Sequence, residues 1–172
     1  GPPPELFDAL DNLEVIFSIG AGVDSLLTCR TLPAHLPIVR MVEPELTAGM
    51  VEFCLFHVLR FHRLMPQFES NRIAQHWEEL TQPPASEITV GVMGLGVLGM
   101  ALARQLTALR YQVVGYRRSP GDITGMEVFH GEEQLEAFMR RSEMLVALMP
   151  STRETRGLVN RKTLSWLPSG SY

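Results

Sequence analysis

The sequence predicts an α/β protein built on a doubly wound parallel sheet. From residue 88 to residue 149, short β-rich runs alternate with amphipathic helical runs, which implies parallel strands joined by right-handed crossovers. A glycine-rich turn stands between the first of these strands and its helix, the usual junction in such a sheet. Apolar residues make up 45% of the 172, enough for a packed core.

The first segment reads as a helix stub over Pro4 to Leu10, a β-rich run Leu13 to Ser18, and a glycine turn Gly20-Ala21-Gly22 feeding a short helix. Ile38 to Val42 follows as a second strand. Two strands without a long amphipathic helix between them cannot cover both faces of a parallel sheet, so this segment is expected to be part of a domain. A long helix is expected from Glu45 to Met65, ended or kinked by Pro66. Its wide apolar face suits burial between domains or subunits. His57 and His62 are five apart and share no helical face, while Arg60, His62 and Arg63 suit the negative end of the helix dipole, so a structural role is preferred to a metal site. Thr81 to Ser86 is turn chemistry. The predicted elements after it are strand 88–93, helix 97–109, strand 112–116, a short strand near 127–129, helix 132–141 and strand 144–149. Glu132, Glu133 and Glu136 open a helix, where carboxylates offset its positive end, and are read as a solvated helix start.

A net charge of −4 and a pI near 5.7, without a basic run longer than a pair, argue against nucleic acid as a partner. The longest apolar runs are far shorter than the roughly 20 residues of a spanning helix, and the first residues lack a signal pattern. A cytoplasmic address, with no membrane partner, is the expectation. Cys29 and Cys54 form no CxxC, so they read as buried thiols and no metal is expected.

Gly94-Leu95-Gly96-Val97-Leu98-Gly99 follows a strand and opens a helix, the context that makes GxGxxG a dinucleotide fingerprint. Gly94 allows the tight turn, Gly96 lets a pyrophosphate approach the backbone, and Gly99 lets the helix pack on the sheet. The residue that reads the adenosine ribose is expected about 20 positions further on. Arg117 stands 18 residues after Gly99, beside Arg118. A carboxylate there would bind a ribose 2′-OH and repel a 2′-phosphate, whereas guanidinium groups pair with that phosphate, so NADP is favoured over NAD. Asp122 in the next turn leaves open a contact with the ribose.

Two stretches keep two readings each. Pro150 to Gly157 holds Ser151 and Glu154 at capping-box spacing, which alone explains a helix start, but it also follows a strand's carboxyl end, where ligands lie in open α/β sheets. In the turn Ser18 to Ser25, the N–H groups of Ala21 and Gly22 are placed to bind a small carboxylate, while Asp24 either caps the short helix or contacts a ligand.

FSIGAGVDSLL, TVGVMGLGVLG, YRRS and LMPSTRETRGLVN, in this order and spacing, resemble the D-isomer-specific 2-hydroxyacid dehydrogenase family over essentially the whole chain. The resemblance implies a Rossmann-type NAD(P)-binding domain over 45–172, truncated at its C-terminus, and part of a smaller flavodoxin-like substrate domain over 1–44. It implies an NADPH-dependent reductase of small 2-oxo acids such as glyoxylate and hydroxypyruvate, working as a homodimer whose contact includes the long helix. Carried over residue by residue, Ala21 and Gly22 hold the substrate carboxylate. Gly94, Gly96, Val97, Leu98 and Gly99 form the cofactor turn, Arg117, Arg118 and Ser119 read the 2′-phosphate, and Pro150 with Thr155 makes the strand-end contact. Arg118 matches the arginine usual in NADP-using relatives, while Arg117 stands where many relatives have Ser or Asp. The catalytic arginine, glutamate and histidine of the family have no counterpart in the chain and are expected beyond Tyr172, so an internal fragment that binds cofactor without turnover is the expectation. His130, before an acidic helix start, is not read as a substitute. A dinucleotide-sensing, corepressor-like protein on the same fold, or a partly folded product without function, stands as the alternative.

Overall fold

The computed structural model describes residues 3, 5–20, 22–41 and 43–172. Two compact units emerge, one of residues 1–46 with 150–156, the other of residues 47–149 with 157–172.

In the first unit the elements are short: α1 (Glu5–Asp8), β1 (Ile16–Ser18), α2 (Asp24–Leu27) and β2 (Ile38–Arg40). β1 and β2 pair in parallel, with Phe17 opposite Val39. Both strands are shorter than the hydrophobic runs suggest, and Pro4, Ala21 and Val42 lie outside the described residues. Phe7 and Leu36 are buried.

The long helix, α3 (Pro44–His62), has proline at its first position, where the absent N–H costs nothing, and the Leu46 N–H donates to Glu43 Oε2 at 2.9 Å. It ends at His62, earlier than predicted, because Leu64 takes a left-handed conformation (φ +53°) and the chain restarts as α4 (Met65–Ile73). Pro66 therefore neither kinks nor stops the long helix: it sits in the first turn of the next one, which proline tolerates. Arg60 grips Glu69 with two bonds of 2.6 and 2.5 Å, tying α3 to α4. That bond holds the Glu69 carboxyl below its usual range and raises Arg60. Arg60 is thus an ion-pair partner as well as a cation at the helix end.

The second unit carries a four-stranded, all-parallel sheet in the order β5 (Glu127–His130), β4 (Gln112–Arg117), β3 (Thr89–Met93), β6 (Met144–Ala147). The crossover through α5 (Val97–Ala108) places β4 on one side of β3, and the crossover through α6 (Gly131–Arg141) places β6 on the other. This is the doubly wound arrangement that the strand and helix alternation predicts. Strand alternation sends Val90 and Val92 into a core with Val51, Cys54 and Val58 of α3 and Leu102 and Leu106 of α5. Met93, Val114 and Tyr116 enter a second core with Leu135, Phe138 and Met139 of α6. Burial in the first core pushes the Cys54 thiol up from its ordinary pKa. Gly91 marks where α6 comes closest, since any side chain there would collide with Ser142 and press on Phe138. Along the outer edge of β6, Tyr172 donates its N–H to the Glu143 carbonyl and accepts from the Leu145 N–H, while its ring stacks on Phe61. No helix among the described residues is long and apolar enough to cross a membrane.

His62 adjoins the first core through Tyr111. It is buried, with Nε2 2.8 Å from the Pro83 carbonyl and Nδ1 2.5 Å from the Tyr111 hydroxyl. A carbonyl only accepts, so a neutral ring that satisfies both contacts carries its hydrogen on Nε2 and accepts from Tyr111 at Nδ1. The structural role expected for this histidine is thus a bridge between α3, the loop before β3 and the start of β4. His62→Ala is expected to cost about 1–3 kcal/mol of stability by stranding a buried hydroxyl, read as a lower denaturant midpoint at unchanged slope.

Candidate functional site

At the carboxyl end of β3 the chain turns at Gly94, whose φ of +105° suits glycine, and a Cβ there would press on the backbone of Leu148 and Met149. Leu148 donates its N–H to the Met93 carbonyl at 2.8 Å, which keeps the end of β6 beside the turn. Gly96 takes the N-cap position of α5, and a Cβ on it would meet no protein atom within 4 Å. Its α-carbon faces open space, as a closely approaching ligand requires. Gly99 is the opposite case: a Cβ would collide with the Gly94 carbonyl oxygen and lie 3.3 Å from Val92 Cγ1. The three glycines thus stand in three different settings: a turn at positive φ, an open helix start and a close helix–strand contact.

The first N–H groups of α5, including those of Val97 and Leu98, lack intrahelical acceptors and form the positive end of a 12-residue helix. Gly96 and Val97 are exposed. A pyrophosphate placed over Gly96 would meet these donors without displacing a side chain. Because β4 and β6 lie on opposite sides of β3, this turn stands at the point where strand order reverses, the site where ligands bind in open α/β sheets.

Gly115 in β4 supports the turn from below, and sequence reasoning passes it over. Leu95 lies across it so closely that any side chain at 115 would collide with the Leu95 methyl groups. A glycine inside a strand pattern signals such a close approach.

β4 ends at Arg117, opposite His130 of β5. Tyr116 points into the second core and donates its hydroxyl to the Gly131 carbonyl at 3.0 Å; burial, then the nearby Glu132 and Glu133, raise its pKa. Alternation therefore turns Arg117 out of that core. Arg117 is partly buried, and Arg118 and Ser119 are exposed. Among the described residues no carboxylate forms an ion pair with either arginine, and Asp122, exposed in the loop, does not reach them. The two guanidinium groups at the end of β4, without an ion-pair partner among the described residues, are open to charge-assisted bonds with an anionic ligand. His130 holds the N-cap position of α6, its N–H donating to Gln134 Oε1, and its ring lies 3.8 Å from Glu133, a setting that fits its surface reading. Glu136 pairs with Arg140 one turn on, as on a solvated helix face.

Pro150 to Gly157 does not start a helix at Ser151. Thr155 takes over instead: its hydroxyl donates to the Pro150 carbonyl at 2.5 Å and accepts from the Thr152 N–H at 2.8 Å, and Arg156 N–H closes a single turn on the Thr152 carbonyl. Gly157 (φ +75°) ends that turn. The capping box lies nine residues later, where Asn160 accepts from the N–H groups of Lys162 and Thr163 and Thr163 Oγ1 accepts from the Asn160 N–H, opening α7 (Arg161–Leu164). Asn-x-x-Thr was the signal for it. Pro150 and Thr155 are thus joined by a direct bond, though in a turn and not in a helix.

In the first unit, the turn after β1 is organised by Ser18, whose hydroxyl lies 3.1 Å from the Gly20 carbonyl and 3.5 Å from that of Gly22. Gly22 is exposed. Ala21, its partner in the expected carboxylate site, lies outside the described residues. Asp24 does not cap α2: Val23 holds the N-cap position without a side-chain bond, and Asp24 is the first helical residue, near Gly22. Among the described residues no group of three potential metal ligands comes together.

The model of the D-isomer-specific 2-hydroxyacid dehydrogenase NAD-binding domain matches residues 55–172. A glyoxylate/hydroxypyruvate reductase A from Serratia proteamaculans is 35% identical over 99% of this chain, and the match covers 56% of that protein. Among solved structures, a D-isomer-specific 2-hydroxyacid dehydrogenase from Xanthobacter autotrophicus Py2 in complex with NADPH and MES superposes with a TM-score of 0.92 at 40% identity, covering 99% of this chain and 54% of its own. An NADPH-dependent glyoxylate/hydroxypyruvate reductase from Sinorhizobium meliloti, in complex with NADP and sulfate, gives 0.89 at 40% identity, covering 96% and 52%. The chain thus spans about half the length of these relatives.

Proposed function

Since this chain belongs to the D-isomer-specific 2-hydroxyacid dehydrogenase family, we propose that it forms the NADPH-binding part, and a portion of the substrate-binding part, of a reductase of small 2-oxo acids. Glyoxylate and hydroxypyruvate are the proposed substrates, reduced to glycolate and D-glycerate. The observation that carries the cofactor assignment is the pair Arg117 and Arg118, without a carboxylate partner among the described residues, at the end of the strand that follows the glycine turn.

NADPH, when bound, supplies a hydride to the carbonyl carbon of the substrate. The chain's own residues orient and neutralise. Gly96 admits the pyrophosphate to the backbone, the N–H groups of Val97 and Leu98 donate toward it, and Gly94 and Gly99 hold that turn against the sheet. Arg117, Arg118 and Ser119 take the 2′-phosphate, and Pro150 with Thr155 forms the strand-end contact. In the first unit the backbone N–H groups of Ala21 and Gly22 are assigned to the substrate carboxylate. The division of labour follows the segments 1–44 for substrate and 45–172 for cofactor. A homodimer in the cytoplasm is part of the same reading: α3 leaves Phe53 and Phe56 about 60% exposed, a large apolar surface for a partner copy to cover.

Titrating NADPH and NADH into the chain tests the assignment. NADPH is expected to bind at least roughly tenfold more tightly, the equivalent of one charge-assisted contact to the 2′-phosphate. Equal affinities would remove the basis of the cofactor assignment.

A further inference from the structure

We infer that Gly121 is a specificity-determining residue, which sets how strongly a 2′-phosphate is distinguished from a free 2′-hydroxyl by fixing the guanidinium of Arg117; the inference rests on the NADPH reading. Gly121 belongs neither to the glycine-rich turn nor to the arginine pair. It lies in the exposed loop between β4 and β5, four residues after Arg117.

A Cβ built on Gly121 would stand 3.0 Å from Arg117 Nη1, 3.5 Å from Cζ and 4.0 Å from Nη2. The guanidinium therefore lies beside the loop at Gly121, with its Nη1 end closest. Gly121 also has a φ of +152°, in a region that residues with a Cβ rarely adopt. The backbone conformation thus calls for glycine at this position, and a methyl group there would press on the end of the Arg117 side chain.

The consequence is local. Arg117's backbone is held by the β4–β5 ladder, in register with His130, so on the strand side it is the side-chain torsions that respond to an obstacle at 121. A long arginine without an ion-pair partner among the described residues surrenders much rotamer freedom when it binds a ligand. Contact with the loop limits that freedom beforehand, which is how preorganisation raises affinity. The loop is itself braced: Ile123 and Met126 form an isolated bridge, closed by the Met126 N–H on the Ile123 carbonyl at 3.1 Å, with Gly125 at φ +81° between them. Gly121 is therefore a positioning residue that acts through Arg117.

Calorimetric binding of adenosine 2′,5′-bisphosphate and of AMP to the full 172-residue chain separates this role from a merely structural one. The wild type should prefer the bisphosphate. Gly121→Ala should weaken the bisphosphate by about tenfold, the scale of one charge-assisted contact, and leave AMP unchanged. In an Arg117→Ala background the same substitution should add nothing, because the group it positions is gone. The inference is overturned if Gly121→Ala leaves the bisphosphate unaffected, weakens both nucleotides alike, or keeps its effect without Arg117. Equal binding of the two nucleotides by the wild type would overturn the NADPH reading and this inference with it. A wild-type preference that Gly121→Ala leaves undiminished overturns this inference alone.

Discussion

Replacing Arg117 and Arg118 together by alanine is expected to weaken NADPH binding by about a hundredfold or more, while NADH affinity stays within roughly threefold. Each guanidinium bonded to a phosphate contributes about 1.5–3 kcal/mol, and neither arginine has a carboxylate partner among the described residues that would be stranded by the change. Both sit at the end of β4, outside the two cores, so the folded state should be spared. Fluorescence titration of the double variant with both cofactors reads the result directly. A parallel loss for NADH would place the arginines on a part of the nucleotide common to the two cofactors and contradict the assignment.

A second large effect is expected in the glycine turn, where two single-methyl additions should part company. Gly99→Ala puts a methyl group onto the Gly94 carbonyl oxygen and against Val92, so α5 has to retreat from the sheet. Overpacking of this kind costs about 1–3 kcal/mol or more, and the helix N–H groups move with it. Stability and the binding of both cofactors should fall together. Gly96→Ala meets no protein atom within 4 Å and has φ −80°, open to any residue. It should melt near the wild-type temperature yet lose NADPH and NADH alike, because the methyl stands where the pyrophosphate must approach. Thermal melts combined with titrations distinguish the two. A Gly96→Ala variant that still binds both cofactors would refute the placement of the pyrophosphate.

Much of this was readable in the sequence because it rests on local rules. Strand and helix periods change abruptly, so the segments 89–93, 97–108, 112–117 and 144–147 lie close to where apolar patterning puts them. The glycine motif stood in its confirming context, and the arginines fell at the spacing a second strand dictates. What escaped depends on partners distant in sequence or on competing bonds. Nothing near Gly115 announces that Leu95 will lie on it. Nothing around His62 names Tyr111, 49 residues away. Ser151 and Glu154 have the spacing of a capping box, but the Thr155 hydroxyl satisfies Pro150 and Thr152 first, and the true cap falls at Asn160. Pro66 was misread because a proline looks the same ahead of a helix as at the end of one; the left-handed Leu64 decides between them.

The placement of β3 bears on how the protein opens. It is paired on both edges and buried along its whole length, with Val90, Val92 and Met93 fully inaccessible. Amides in such a strand exchange with solvent only through openings that approach global unfolding, whereas the loop that carries Arg118 and Gly121 is exposed and can open at far lower cost. The glycine turn is thus rooted in a strand that opens only near global unfolding, while Arg118 and Gly121 lie in a loop that yields sooner. Substitutions in that loop can accordingly be made without disturbing the strand on which the glycine turn stands.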